Sequence, residues 1–175
     1  MHQETRQSLT RRAMKTGTPN LLTRQIGGNL IIAELGRRDY VASLADYEPL
    51  VGMLAADQHG CSVPIHFRVG RASWQYDART FLDIELVGDE QTVHGKKPVR
   101  NPNLISIYIL LRRDERHEFY IFRLSDLQQL TSELYQSRKR PKNPKSTHCA
   151  VWPKHLQEFR DNWSLITNSF NDRNA

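Results

Sequence analysis

Leu50-Val51-Gly52-Met53-Leu54-Ala55-Ala56 and Val63-Pro64-Ile65-His66-Phe67-Arg68-Val69, joined across Asp57-Gln58-His59-Gly60, decide how this chain folds. In the second stretch Val63, Ile65, Phe67 and Val69 alternate with Pro64, His66 and Arg68, the period-two pattern of a half-buried strand. The turn between them makes the pair a hairpin. Centred on His59, it sets Gly52 opposite His66 and Leu50 opposite Arg68. Alternation then predicts that Gly52, His66 and Arg68 project from one face of the sheet.

The flanking sequence supplies the rest of a mixed sheet with helices packed on it. Upstream, Ile26, Leu30, Ile31 and Leu35 recur at helical spacing up to Arg37-Arg38, with Thr23 as the expected cap. Two glycines inside that helix, Gly27 and Gly28, cost about 1–2 kcal/mol against alanine. They imply either a close approach to a neighbouring element or a start at Asn29. A strand is expected over Tyr40–Leu44, broken by Asp46-Tyr47-Glu48-Pro49. Downstream, 74–86 reads as a strand or irregular edge and 87–103 as polar turns.

Leu104–Leu111 is a nearly continuous apolar run, as in a strand covered on both faces. Glu118–Leu124 is its partner across Arg112–His117. Ser125 is the expected cap of a helix to about Gln136. The basic stretch 138–145 is kept out of helix by its two prolines, and a short helix follows from Pro153 to about Phe159. This order predicts an α/β (α+β) domain over 21–167, with a flexible basic arm over 1–20 and a frayed tail over 168–175.

Composition narrows the class. Of 175 residues, 38% are hydrophobic and 25% charged, so the chain is too apolar for a disordered protein. No run approaches the roughly 18 apolar residues of a membrane span, and the basic N-terminus lacks a signal-peptide core. A cytoplasmic protein with no membrane partner is expected. Cys61 and Cys149 stand outside any metal-ligand spacing and read as small buried fillers. The formal charge of +6 attracts polyanions.

Several motifs in order resemble small prokaryotic members of the PD-(D/E)xK, or restriction-endonuclease-like, superfamily. They are Ala33-Glu34-Leu35-Gly36-Arg37-Arg38-Asp39-Tyr40, Pro49-Leu50-Val51-Gly52-Met53-Leu54-Ala55, Ile65-His66-Phe67-Arg68, Ser73-Trp74, Arg140-Pro141-Lys142-Asn143-Pro144-Lys145-Ser146-Thr147-His148 and Asp161-Asn162-Trp163. The resemblance covers about 22–166 and implies an endonuclease-like fold. In active members acidic side chains hold Mg2+ or Mn2+ and a Lys assists the nucleophile.

Carried over residue by residue, Glu34 matches the acidic position of the first helix. Gly52 stands for the Asp, His66 for Glu or Gln, and Arg68 for Lys. A glycine has no ligand atom, and the arginine stays protonated, so a degenerate catalytic site without a metal is expected.

Other readings of the same residues stay open. Glu34 and Arg68 can form a buried ion pair in place of a metal. Alternatively Glu34, His66 and Asp57 hold Mg2+ or Mn2+, with Asp77 and Asp83 as further displaced ligands. Trp74 and Tyr76 read as core aromatics before base-stacking ones. Lys96 and Lys97 with Arg100, and Arg138, Lys139, Arg140, Lys142, Lys145, Ser146 and His148, are the nucleic-acid candidates, with Arg11-Arg12 a third cluster. DNA is expected before RNA, and a homodimer through a sheet edge or the C-terminal helix is the protein-partner alternative.

Overall fold

A computed structural model describes residues 20–48, 51–139 and 141–174. The expected basic arm up to residue 19, Leu50 and Arg140 lie outside the described residues. The chain runs as helix α1 (20–36), β1 (Val41–Glu48), β2 (Val51–Ala56), β3 (Ser62–Gly70), β4 (Trp74–Asp77), β5 (Leu82–Val87), β6 (Glu90–Lys96), β7 (Ile105–Leu110), β8 (Glu118–Arg123), α2 (Leu124–Ser137), β9 (His148–Val151) and α3 (Ser164–Asn174). Five strands form a mixed sheet in the order β1-β2-β3-β7-β8. β3 and β7 pair in parallel and the other neighbours antiparallel. Two ribbons, β4-β9 and β5-β6, stand apart from it.

The sheet separates two apolar layers. Ile31 and Leu35 of α1, and Trp163, Ile166 and Phe170 of the C-terminal segment, pack with Met53, Ile65, Phe67, Ile107 and Ile109. On the other side Trp74, Tyr108, Tyr120, Phe122, Leu127 and Val151 form the second layer. All six residues of β7 are buried, with Ile105, Ile107 and Ile109 in one layer and Tyr108 and Leu110 in the other. The continuous apolar run therefore reads as expected. The hairpin register is the expected one too, with Met53 opposite Ile65 and Ala55 opposite Val63.

Local boundaries differ for physical reasons. α1 already includes residue 20, so Thr23 lies inside it and caps nothing, and both glycines are buried in its interior. A β-carbon on Gly27 would lie 2.7 Å from Val69 Cγ1, and one on Gly28 3.2 Å from Phe67 Cζ. These glycines let the helix backbone descend onto β3. β1 continues through Asp46-Tyr47-Glu48, with its register shifted between Leu44 and Glu48. The polar stretch 87–103 contains β6, which β5 recruits by direct pairing. α2 starts at Leu124, and Asp126, not Ser125, accepts the Arg123 N–H at 2.8 Å.

Pro153–His155 and Gln157–Phe159 are short 3-10 turns in place of one helix, and β9 before them pairs with β4. The tail expected to fray after Thr167 is instead helix to Asn174. Phe170 is buried there and stacks on Tyr40 with ring centroids 4.7 Å apart. No helix among the described residues is long and apolar enough to cross a membrane.

Alanine is the better helix former, yet Gly27→Ala is expected to destabilise the protein by about 1–3 kcal/mol, because the added methyl overpacks Val69. Urea denaturation measures this, and a stabilised variant would show that the helix does not need the close approach.

Candidate functional site

Gly52 sits where β2 changes face. Met53 belongs to the α1 layer, whereas Val51 belongs to the opposite layer, and the ladder with β3 begins only at Met53. A β-carbon on Gly52 would lie 2.8 Å from Phe67 Cε1 and 3.1 Å from Arg24 Nη2. Gly52 therefore faces the α1 side with Phe67, not the side of His66 and Arg68 as alternation predicts. The pairing of Val51 with Glu48 after the β1 irregularity turns the backbone at this point. The Arg24 guanidinium carbon stands 4.5 Å from the Phe67 ring centroid, so an aromatic ring and a cation occupy the room a side chain at position 52 would need.

His66 and Arg68 share the opposite face, on either side of Tyr108. His66 Nδ1 lies 3.3 Å from Ser106 Oγ, and its ring meets Tyr108 edge-on at 5.9 Å. Arg68 Nη2 donates to the Gln75 carbonyl at 2.9 Å, and Arg68 pairs with Tyr108 across the β3–β7 ladder. Burial, then the Arg68 and Arg24 charges, push the His66 imidazole down to about 4. At neutral pH it is an uncharged hydrogen-bonding group, too weakly basic to act as a general base. Burial pushes the Tyr108 phenol above its ordinary range.

Glu34 is elsewhere. Its carboxylate pairs with Arg37 and, at 2.7 Å, with Arg38, whose guanidinium lies 4.1 Å from the Trp163 ring centroid. It follows Gly28, the glycine at Phe67, by six residues, or about 9 Å along the helix axis. The Glu34–Arg68 ion pair is therefore not formed. Each Glu34 partner is one turn away on its own helix, a contact that local spacing favours.

Asp57 Oδ1 accepts the N–H groups of His59 and Cys61, both at 2.9 Å, and so shapes the hairpin turn. Asp77 accepts from Arg79, which holds its carboxyl well below the usual range, and Asp83 is exposed on β5. Among the described residues no three His, Cys, Asp or Glu side chains gather as a metal cluster, so Glu34, His66 and Asp57 are not brought together. The Arg24 guanidinium and the Phe67 ring beside position 52 supply none of the anionic oxygen ligands that a Mg2+ site needs.

The basic candidates divide by what they touch. Lys96 reaches Gln129, and Lys97 Nζ donates to the Arg79 carbonyl at 2.8 Å. Arg138, expected as a nucleic-acid contact, is a structural side chain. It stacks 3.7 Å from the Tyr135 ring centroid and donates to Gln91 Oε1 at 2.8 Å and to the Ser146 carbonyl at 2.9 Å. Lys139, Lys142 and Lys145 are exposed. His148 Nε2 lies 2.9 Å from Gln75 Oε1, and Ser146 Oγ accepts the His148 N–H. Trp74 and Tyr76 belong to the second layer, the former fully buried and the latter partly, as the core reading expects.

Sequence reasoning missed Arg24, Gln75 and Gln91. Arg24 had a signal, since it lies four residues before Gly28 on one helix face and both meet Phe67. Gln91 had none, because its partners lie more than 40 residues away.

No family model and no curated protein sequence matches this chain. Its fold is similar to that of I-Ssp6803I, a bacterial homing endonuclease, with a TM-score of 0.51 and 12% identity over 88% of this chain and 97% of that one. The fold is thus nuclease-like, a five-stranded mixed α+β sheet flanked by helices.

The buried imidazole makes stability depend on pH. His66 titrates near 6.5 when unfolded and near 4 when folded, so its contribution is fully present above pH 6.5 and is lost as pH falls to about 4. The loss is expected to reach at most about 3 kcal/mol. Denaturation midpoints across that window should fall more steeply for wild type than for His66→Gln; parallel curves would contradict the shift.

Proposed function

We propose that this chain is a PD-(D/E)xK-type nuclease domain that has lost metal-dependent phosphodiester cleavage and binds nucleic acid, DNA before RNA. The observation that carries this reading is the filling of position 52. Where the superfamily pattern has a carboxylate, Phe67 and the Arg24 guanidinium stand against a bare glycine. Glu34, the one matched acidic residue, is held by Arg37 and Arg38 farther along α1. Arg68 keeps the positive charge of the superfamily's Lys but, permanently protonated, binds a phosphate without taking a proton.

The endonuclease-like fold and the exposed lysines of the 138–148 segment favour nucleic acid as partner. Duplex and single-stranded DNA and RNA, incubated with the protein and Mg2+ or Mn2+, should remain intact while binding weakens steeply with salt. Cleavage abolished by Glu34→Ala would refute the reading. Restoring the carboxylate alone is not expected to restore cleavage. Gly52→Asp should destabilise the fold by about 1–3 kcal/mol through its clash with Phe67, read as a lower urea midpoint.

One observation favours a second reading, a homodimer or other protein complex. β1 is an outer strand of the sheet and exposes Val41 and Leu44, whereas β8 at the other edge is bridged by Arg160. No DNA binding even at low salt, together with a dimer in sedimentation equilibrium, would support it over the first.

A further inference from the structure

The segment after α2 is built as a braced turn. Asn143 accepts the Lys145 N–H through its side chain at 3.0 Å and the Ser146 N–H through its carbonyl at 3.0 Å. Gln91, on β6, uses both ends of its amide. Its NH2 donates to the carbonyls of Pro144 and Ser146, and its oxygen accepts from the Tyr135 hydroxyl and from Arg138. The Thr147 carbonyl accepts the Ala78 N–H at 2.8 Å from the opposite side. These bonds brace the backbone of the turn directly or through Gln91, and Lys142 and Lys145 are exposed on it.

That turn is continuous with the degenerate site. His148 follows it and contacts the side chain of Gln75, whose carbonyl accepts from Arg68 beside His66. Gln75 and His148 are exposed on the β4-β9 ribbon, so a polar, cation-bearing track leads from Lys145 to Arg68. Asp77, opposite His148 in the ribbon, is paired with Arg79, while Asp89 and Glu90 lie beside the turn and line a cleft with Gln91, Arg138 and Pro144. By contrast Lys96 contacts Gln129, nine residues before Arg138 on α2 and roughly 13 Å away along its axis, and the Lys97 ammonium is held by the Arg79 carbonyl.

We propose that this track binds the phosphodiester backbone of one nucleic-acid strand, with Lys142 and Lys145 as phosphate contacts at one end, Arg68 at the other, and Gln91 as the positioning residue that orders the turn. The proposal rests on the nucleic-acid reading above. Pre-ordering matters because a lysine on a mobile loop gives up more conformational entropy on binding than one already fixed at its backbone.

Fluorescence anisotropy with a labelled 20-base-pair duplex and a 20-mer single strand, across a salt series, tests it. For Lys142→Gln with Lys145→Gln, affinity near 0.1 M salt should fall about tenfold or more, and the slope of log K against log salt should shrink by about 1–2, one phosphate for each lost contact. Arg68→Gln should reduce the slope by about 1. Gln91→Ala should weaken binding several-fold with the slope unchanged, because it removes order and no charge. A merely structural role would not split affinity from slope in this way.

Wild-type protein that does not bind either probe would sink the nucleic-acid reading itself. Salt-dependent wild-type binding that is unchanged in the double lysine variant would overturn this proposal alone. Should Gln91→Ala melt below the assay temperature, the lysine and Arg68 variants, all at exposed or partly exposed positions, decide the matter.

Discussion

The close approach of α1 to the sheet is the constraint on which the site depends. Gly27 against Val69 and Ile109, and Gly28 against Phe67 and Leu44, let the helix backbone settle directly on β3 and β1. Phe67 is then trapped between a helix glycine and a strand glycine, Gly28 and Gly52, with Arg24 laid across its ring. A protein interior is packed too tightly for such a ring and a strand carboxylate to share that volume. The identity of residue 52 thus follows from helix packing, and the chemistry of the site follows from residue 52.

The electrostatic outcome is a reversal of sign. Carboxylates around a metal create a site that concentrates cations, whereas Arg24 and Arg68 disfavour even the protonated form of the imidazole near them. A divalent ion would meet the same unfavourable charge, while a phosphate oxygen suits a guanidinium donor such as Arg68. On the proposed reading, the domain has exchanged a site that activates water at a phosphate for one that holds the phosphate. His66, uncharged and bonded to Ser106, packs edge-on against Tyr108 as a neutral group.

Much of the scaffold is legible in the sequence because it rests on short-range patterns. The alternation of Val63, Ile65, Phe67 and Val69 and the turn at Asp57–Gly60 suffice for the hairpin, and the observed register matches them. The unbroken run at Ile105–Leu110 likewise reports burial on both faces. What escapes is whatever distant contacts decide. β6 and β9 are held by pairing with β5 and β4, and neither carries enough apolar alternation to announce itself. Strict alternation misplaces Gly52 because the β1 irregularity, between Leu44 and Glu48, bends β2 before its ladder with β3 starts. The Glu34–Arg68 ion pair fails to form for a related reason, since the own-helix partners Arg37 and Arg38 reach Glu34 without any cost of long-range closure. Arg138 reads as one more charge in a basic run, although its stacking on Tyr135 and its bonds to Gln91 and Ser146 make it part of the scaffold.

On the proposed reading, the division of labour between sheet and ribbons explains how binding outlasts chemistry. Gly52 lies on β2 in the layer that α1 packs, whereas His66 and Arg68 of β3 face the opposite layer beside Tyr108. The braced turn hangs from β6, α2 and β9, which belong to the opposite layer and to the ribbons. These two sets of contacts meet at Gln75, whose carbonyl serves Arg68 and whose side chain serves His148. Substitutions that collapse a metal site onto Phe67 therefore leave the turn's hydrogen bonds untouched, and contacts that share no partners are energetically close to independent. Loss of a ligand at position 52 carries no structural requirement to lose Lys142 or Lys145. A phosphate-binding surface can persist after cleavage is gone because different elements hold it.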